Sequence, residues 1–268
     1  LFTKRTIQPY RAVTHVDTAS EALAVSLGEK ARVDLEYMGS LTGKTQEQLA
    51  EELRGVIFPV PGEVETNGKP HYVTADEYLS GNVREKLKTA KQAAEQNPSF
   101  AVNVQALEKV QPKDLTAGEI SVRLGATWIP EDVAEQFTHE LLQTPFYYKS
   151  RIRVRYSTVT GEWNVSEKSL DRSNIRVFNT YGTKRVNAYK LIEDTLNLRD
   201  VRVFDTVQDE NGKDQRVLNK KETAIAQDKQ DQIKEKFQEW VWSDPARRER
   251  LCALYNEKFN AIRPREYD

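Results

Sequence analysis

Apolar residues in the first part of the chain recur at helical spacing in three short segments. Thr18 can cap a first helix at residues 19–30, Asp34 begins a second, and Thr45 caps a third. The apolar residues on or near one face are Ala22, Leu23, Val25 and Leu27, then Leu35, Met38 and Leu41, then Leu49 and Leu53. The pattern predicts three short amphipathic helices.

A strand and a turn follow these helices. Residues 55–60, "GVIFPV", form a short apolar run, and Asn67-Gly68 suits a hairpin turn. Thr74 and Glu77 have the spacing of a capping box. Helix, tight turn, helix and strand, followed by a hairpin, are the pattern of a winged helix, and the hairpin would be its wing.

The middle of the chain is predicted to be helical. Residues 82–96 and 100–110 have helical patterns, and "NPSF" joins them. Pro130 stands at a first-turn position and opens a further helix. Trp128 and Ile129, just before this helix, should be buried in a hydrophobic core.

From Tyr147 the apolar period changes to two. Residues 149–157, 161–166 and 174–182 read as antiparallel strands, and a helix at 187–198 is predicted to pack on their apolar face. Side chains alternate along a strand, so Arg151, Arg153 and Arg155 should share the face opposite to Ile152, Val154 and Tyr156.

The last part of the chain predicts a hairpin at Asn211-Gly212, a helix to about Trp242, a second helix restarting at Ser243-Asp244-Pro245, and an extended tail. The fold class is therefore α+β. We predict four subdomains: a winged-helix-like part at 1–82, a helical part at 83–146, a basic antiparallel sheet with a packed helix at 147–219, and C-terminal helices at 220–268.

Composition adds limits to this outline. The 268 residues are 30% charged and 38% hydrophobic, as in a soluble globular protein, and no segment approaches the roughly 18 apolar residues of a membrane span. We expect a cytoplasmic protein with no membrane partner. Cys252 has helical neighbours and reads as a buried structural residue, and His15, His71 and His139 lack ligand spacing, so no metal and no cofactor are expected.

Two short motifs come close to catalytic patterns. Gly43-Lys44-Thr45 resembles the end of a phosphate-binding loop, but Met38 stands where the first glycine belongs and a helix precedes it. Asn97-Pro98-Ser99-Phe100 resembles the Asn-Pro-Pro-Tyr/Phe motif of adenine methyltransferases, but Ser99 replaces the second proline. We interpret the first as a turn between helices and the second as a helix-breaking turn.

Charge is distributed unevenly although the net charge is only −1. Between Lys149 and Lys190, ten Lys and Arg residues face three acidic residues, a local excess of +7. Three guanidinium groups in a row repel one another unless an anion or acidic partner lies across them, and each is a strong phosphate donor. The candidate phosphate-binding residues are Arg151, Arg153, Arg155, Lys184 and Arg185, assisted by Asn187. A surface that docks on an acidic domain and a solvated sheet face remain alternatives.

The predicted winged helix has the opposite charge. From Val13 to Glu65 there are ten acidic and four basic residues, a balance of −6. A helix that enters the major groove needs basic residues, because phosphate contacts supply most of the affinity. This winged helix is therefore better suited to domain packing or protein contact.

Several long phrases resemble one protein family over essentially the whole chain. They are "VDLEYMGSLTGKT", "ADEYLSGNVREKLKTA", "LTAGEISVRLGATWIP", "NTYGTKRVNAYKLIEDTLNLRDVRVFD", "LNKKETAIAQ" and "LYNEKFNAIRPREYD". They look like the connecting region of large fused DNA methyltransferase/helicase proteins of bacterial conjugative elements and phages, including antirestriction proteins of the DarB type.

The resemblance implies which domains flank this region, but it implies no reaction for the region itself. In that family an adenine methyltransferase precedes this region, and a Swi/Snf-type helicase begins after a tail like the one ending at Asp268. The family's catalytic motifs belong to those flanking domains, so no catalytic residue transfers to this sequence. We expect a non-catalytic connector that couples methylase and helicase and holds DNA across the basic sheet. The alternatives are a protein-docking module without nucleic-acid affinity and an independent NTPase that uses Lys44.

Overall fold

The chain forms two compact units in a computed structural model, which describes residues 13–210 and 212–266. The first unit contains the described residues up to Asp114 together with those from Asn256 onward, and the second is Leu115–Tyr255. Each unit has its own hydrophobic core. The division into four subdomains stays a prediction.

The first unit begins with a winged helix, as the sequence predicts. Its elements are α1 Ala19–Lys30, α2 Leu35–Thr42, α3 Gln46–Glu52, β1 Ile57–Val64 and β2 Pro70–Thr74, the two strands pairing antiparallel. Thr18 and Thr45 each form a capping box, and the Asp34 side chain accepts a hydrogen bond from the Tyr37 backbone. The caps thus satisfy N–H groups that a helix start leaves without partners.

The core of the winged helix differs from the prediction at one position. Met38, Leu49 and Leu53 are buried as expected, but Leu27 is exposed and Ser26 is buried instead. The Ser26 hydroxyl donates to the Arg32 carbonyl and accepts from the Asp34 N–H, so it ties the turn between α1 and α2. Backbone groups in that turn need a polar partner, which apolar spacing does not reveal.

Helices complete the first unit. They are α4 Ala75–Tyr78, α5 Val83–Gln96 and α6 Ala101–Lys109, with strand β3 Gly81–Asn82 pairing to a C-terminal strand Ile262–Arg263. Residues Pro98–Phe100 form a 3-10 turn in which the Asn97 side chain accepts a hydrogen bond from the Ser99 N–H, so the helix-breaking reading of "NPSF" is confirmed. The capping box predicted at Thr74 is wrong, since its side chain makes no cap hydrogen bond to α4.

The second unit contains five helices labelled here and two hairpins. In chain order they are α7 Glu131–Leu142, α8 Phe146–Lys149, β4 Val154–Ser157, β5 Glu162–Val165, α9 Ala188–Leu196, β6 Phe204–Gln208, β7 Asp214–Leu218, α10 Lys220–Val241 and α11 Pro245–Phe259, whose last four residues belong to the first unit. The hairpin predicted before α10 is present as β6 and β7. Asn211, half of its turn signal, lies outside the described residues.

The third predicted strand, residues 174–182, is wrong. Residues Arg176–Thr180 form a single π-helical turn, closed by the Tyr181 N–H donating to the Arg176 carbonyl. Asn174 is the physical reason, because its Oδ1 accepts from the Arg176 N–H while its Nδ2 donates to the Leu142 carbonyl. An Asn side chain that bonds the backbone locally competes with a strand ladder.

The core of the second unit includes the residues that the sequence placed there. Trp128 and Ile129 are buried, and Phe137 packs edge-on against Phe237 with ring centroids 5.1 Å apart. Gln230, buried on α10, accepts from the Val201 N–H and donates to the Arg199 carbonyl. The irregular segment before β6 is therefore held by polar side chains of α10 as well as by apolar packing.

The buried Leu49 provides a test of the winged-helix core. Leu49→Ala removes a fully buried side chain and should destabilise this part of the chain by about 2–5 kcal/mol. Hydrogen–deuterium exchange should show lost protection in α1 to α3, with α9 and α10 unchanged. Leu27→Ala, at a partly exposed position of α1, is the matched control and should cost clearly less than Leu49→Ala. Equal effects of the two substitutions would contradict this core.

Candidate nucleic-acid interface

The arginine face predicted from strand alternation is present. Ile152 and Val154 are fully buried, while the side chains of Arg151, Arg153 and Arg155 retain 56%, 42% and 46% exposure. Only Arg155 lies within β4, and the other two precede the strand. The alternation is confirmed over a longer stretch than the strand itself.

Each arginine of this face contacts a carboxylate of the same unit. Arg153 Nε and Arg155 Nη1 both bind Glu135 Oε2 on α7, at 3.0 and 2.9 Å. Glu131, one turn earlier, is 3.8 Å from Arg155 Nε, and Arg151 pairs with Glu167 at 3.5 Å. The acidic partner that three aligned guanidinium groups require is therefore supplied within the chain.

The two glutamates on α7 also satisfy the open edge of β4. The N–H groups of Val154 and Tyr156 point away from β5, and they donate to Glu135 Oε2 at 2.9 Å and Glu131 Oε1 at 2.8 Å. Unpaired N–H groups along a strand edge are costly when buried. These carboxylates take the place of a third strand.

The opposite edge of the hairpin is satisfied in the same way by α9. Asn197 accepts from the Trp163 N–H and donates to its carbonyl, and Glu193 Oε2 accepts from the Val165 N–H at 2.8 Å. Burial opposes the charged form of Glu193, but hydrogen bonds from Lys168 and the Val165 backbone outweigh it and lower the pKa of this carboxyl.

Two of the three remaining predicted contact residues, Arg185 and Asn187, have structural partners. Arg185 donates to Asp205 Oδ1 and to the Phe204 carbonyl, both at 2.8 Å. Asn187 caps α9, since its Oδ1 accepts from the Lys190 N–H and its Nδ2 donates to the Lys168 carbonyl. The assignment of these residues to phosphate binding stays a prediction.

Ion pairs therefore account for most of the basic run, which is the set of ten Lys and Arg residues between Lys149 and Lys190. Six of its ten cations have a carboxylate within 4.0 Å, namely Arg151, Arg153, Arg155, Lys168, Arg185 and Lys190. The four that have none among the described residues are Lys149, Arg172, Arg176 and Lys184.

Two of these four cations line one groove. Arg172 and Lys184 face it together with Lys229 of α10, around a volume of about 540 Å³. The other lining residues are Ser173, Asn174, Ile175, Phe178, Asn179, Gly182, Thr183 and Ile225. No carboxylate lines this groove within the part of the chain that the structure describes. Sequence reasoning missed it because Lys229 lies 45 positions after Lys184, on another element.

The winged helix carries its acidic residues on the outside. Glu47 and Glu51 of α3 are exposed, and Lys44 pairs with Glu52 at 2.6 Å. Gly43 ends α2 with a φ of 70°, and the Thr45 side chain accepts a hydrogen bond from the Gln48 N–H. The prediction that Gly-Lys-Thr forms a turn between helices is confirmed.

Burial shifts the pKa of two further groups, His139 and Cys252. His139 is buried and neither ring nitrogen has a hydrogen-bond partner among the described residues. Burial lowers the pKa of His139, and burial raises the pKa of the half-buried Cys252 thiol. Across the described ranges, no group of three His, Cys, Asp or Glu residues is placed to hold a metal ion.

None of the helices formed by residues 13–210 and 212–266 is both long and apolar enough to cross a bilayer.

Fold and sequence together define the class of this protein. Residues 15–67 match the family described as "Probable helicase, winged helix domain", which fits the helices and wing seen here. Residues 123–261, just over half of the chain, match the "Domain of unknown function (DUF8437)", and the chain belongs to this family. Searches of curated proteins and of solved structures gave no significant match. The helicase link agrees with the resemblance, whereas nothing found links the chain to a methyltransferase or to DarB-type proteins.

The shared carboxylate of Glu135 leads to a stability prediction. Glu135→Ala leaves the Val154 N–H and two guanidinium groups without their acceptor, and should cost about 1–3 kcal/mol of unfolding free energy. All four tryptophans lie in the second unit, so tryptophan fluorescence during urea unfolding reports on it. Gln136→Ala, at the exposed neighbouring position, should change stability by less than about 0.5 kcal/mol. Similar losses for both variants would exclude the edge-capping role.

Glu193 leads to a prediction of pH dependence. Its folded-state pKa lies below the ordinary value of 4.5, so its stabilising contribution is present above that value and lost as pH falls through the folded-state pKa. Wild type should therefore lose more stability than Glu193→Gln when pH is lowered from about 6 to about 3, because glutamine keeps an acceptor without titrating. Glu95→Gln, an exposed carboxylate, should follow wild type. Parallel wild-type and Glu193→Gln curves would contradict the assignment.

Proposed function

We propose that this chain is a non-catalytic, DNA-binding region of a helicase polypeptide, which couples the helicase to a flanking methyltransferase domain. The helicase winged-helix match at residues 15–67 carries the helicase part of this proposal. The methyltransferase part rests on the sequence resemblance alone. The non-catalytic part is supported by Gly43-Lys44-Thr45, which serves a helix turn and an ion pair.

DNA contact by the winged helix is disfavoured by its charge. In DNA-binding helix-turn-helix folds the recognition helix lies in the major groove, among phosphates. Here the corresponding α3 exposes Glu47 and Glu51, which would repel them. DNA contacts are therefore assigned to the second unit.

The arginine face offers donors but little net charge. A guanidinium has five N–H donors, and Arg151, Arg153 and Arg155 use only some of theirs on Glu131, Glu135 and Glu167. Phosphate oxygens can bind the remaining donors. The neighbouring carboxylates weaken the attraction, so this face supports phosphate contact without supplying most of the affinity.

A protein-docking role is the second candidate. The observation that favours it is the exposed acidic surface of α3, which suits a basic protein partner better than DNA. In that case the chain would bind the flanking helicase or methylase domain and have no affinity for nucleic acid.

Fluorescence anisotropy with single-stranded, duplex and forked DNA tests the proposal. Binding should weaken linearly in log–log form between about 50 and 200 mM salt, as phosphate contacts require. Replacing Arg151 and Arg155 with Gln should reduce the slope by at most about 0.7–0.9 per lost contact. Lys234→Gln with Lys236→Gln, which removes two paired surface cations of α10, is the control and should leave the slope unchanged.

One result would overturn DNA binding. If the full chain binds none of the three DNA forms at about 50 mM salt, where phosphate contacts are strongest, the proposal fails. Binding to the separately prepared helicase or methylase domain in its place would then favour docking.

A further inference from the structure

We propose that the groove between residues 172–184 and α10 is a binding site for single-stranded DNA. This inference rests on the proposed function and names the site and the form of nucleic acid. Its first support is charge. Arg172, Lys184 and Lys229 face the groove, no carboxylate lines it, and none of the three has an ion pair among the residues the structure describes. Three uncompensated cations around one volume attract a phosphate backbone.

The second support is the apolar surface beside these cations. The exposed fraction of Ile175 is 71% and that of Ile225 is 41%, and Phe178 is only partly covered by the core. An apolar surface next to cations matches a nucleotide, which has a charged phosphate and a flat base. Bases stack on aromatic and apolar side chains wherever proteins bind single strands.

The third support is that the groove wall is rigid. Arg176–Thr180 forms a π-helical turn, a rare conformation often found at functional sites. Gly182 packs so closely that a Cβ there would overlap the Val177 carbonyl and the Ala188 N–H. The Asn174 side chain holds the start of the wall in place, because its Nδ2 donates hydrogen bonds to the Leu142 carbonyl and to Asp171 Oδ2. A site fixed in advance loses little entropy when a ligand binds.

Available donors complete the site. Arg172 uses Nε for the Ser169 carbonyl, and its two terminal nitrogens have no hydrogen bond among the described residues. Asn179 is exposed, and its side-chain amide has no hydrogen bond among the described residues. It is therefore able to bond the edge of a base. Asp171, the nearest acidic residue in sequence to Arg172, is buried and accepts from Asn174 and Tyr189.

Single strands fit this combination better than a duplex does. In a duplex the base faces are stacked on one another, so Phe178, Ile175 and Ile225 would have nothing to contact. The groove volume of about 540 Å³ lies in the range of roughly 300–1,000 Å³ typical of small-ligand sites. It therefore suits one or a few unpaired nucleotides of a longer strand, as a helicase produces.

The experiment measures binding of a labelled dT oligonucleotide to the full chain by anisotropy over a salt series. Lys184→Gln with Lys229→Gln should weaken binding about tenfold and reduce the salt slope by about 1.4, since single strands give about 0.7 per phosphate contact. Ile175→Ala, at an exposed position, should weaken binding without changing the slope. Lys234→Gln with Lys236→Gln is the charge-matched control and should bind as wild type.

Two further probes test the chemistry of the occupant. An abasic strand of equal length should bind more weakly than the dT strand, because it offers phosphates without bases to stack. A uridine RNA strand that binds more tightly than dT would assign the site to RNA and overturn the inference. Equal binding of the abasic and dT strands would also overturn it. Unchanged tryptophan fluorescence would verify that each variant is folded.

The outcomes separate this inference from the proposed function. If the chain binds DNA and the groove variants bind as wild type, the groove inference is wrong and the proposed function stands. If the chain binds no DNA of any form, both fail. Loss of dT binding in the groove variants, with the α10 control unaffected, supports both.

Discussion

The second unit is organised around a two-stranded hairpin whose edges both need partners. Without neighbouring strands, the outward N–H groups of β4 and β5 would be left unsatisfied against the helices that cover them. Side chains of α7 and α9 provide the acceptors, chiefly Glu135 and Glu193. Carboxylates with so little exposure require counter-charges, and Arg153 and Lys168 supply them. Helix packing, strand edges and ion pairs are thus parts of one arrangement.

Because of this arrangement, most of the positive charge in the basic run is used in ion pairs within the chain. A local excess of +7 in the sequence suggests a surface made for phosphates, but in the fold most of those cations balance carboxylates from residues up to about 25 positions away. What attracts an anion is the charge left over after pairing, and two of the four unpaired cations of the run, Arg172 and Lys184, line one groove with Lys229. The charge pattern of the sequence predicted phosphate binding at the arginine face, but the unpaired cations that favour such binding lie at the groove.

Local signals explain what the sequence predicted well. Thr18, Asp34 and Thr45 satisfy N–H groups within three positions, so the helix starts of the winged helix follow from nearby residues alone. Distant contacts explain the failures. Asn174 bonds a carbonyl 32 positions earlier and so turns an apparent strand into a π-turn, and Lys229 reaches the groove from another helix. Spacing along one segment contains no information about such partners.

The winged helix and the groove differ in the contacts that they favour. An exposed acidic α3 disfavours phosphates at short range, because screening limits such repulsion to about 8 Å at physiological salt. On the proposed function, the acidic winged helix would contact a protein and the basic, partly apolar groove would contact an unpaired strand. Within the groove, stacking on Ile175 and Phe178 does not involve counterion release, whereas phosphate binding does, so only the phosphate contacts should weaken as salt rises.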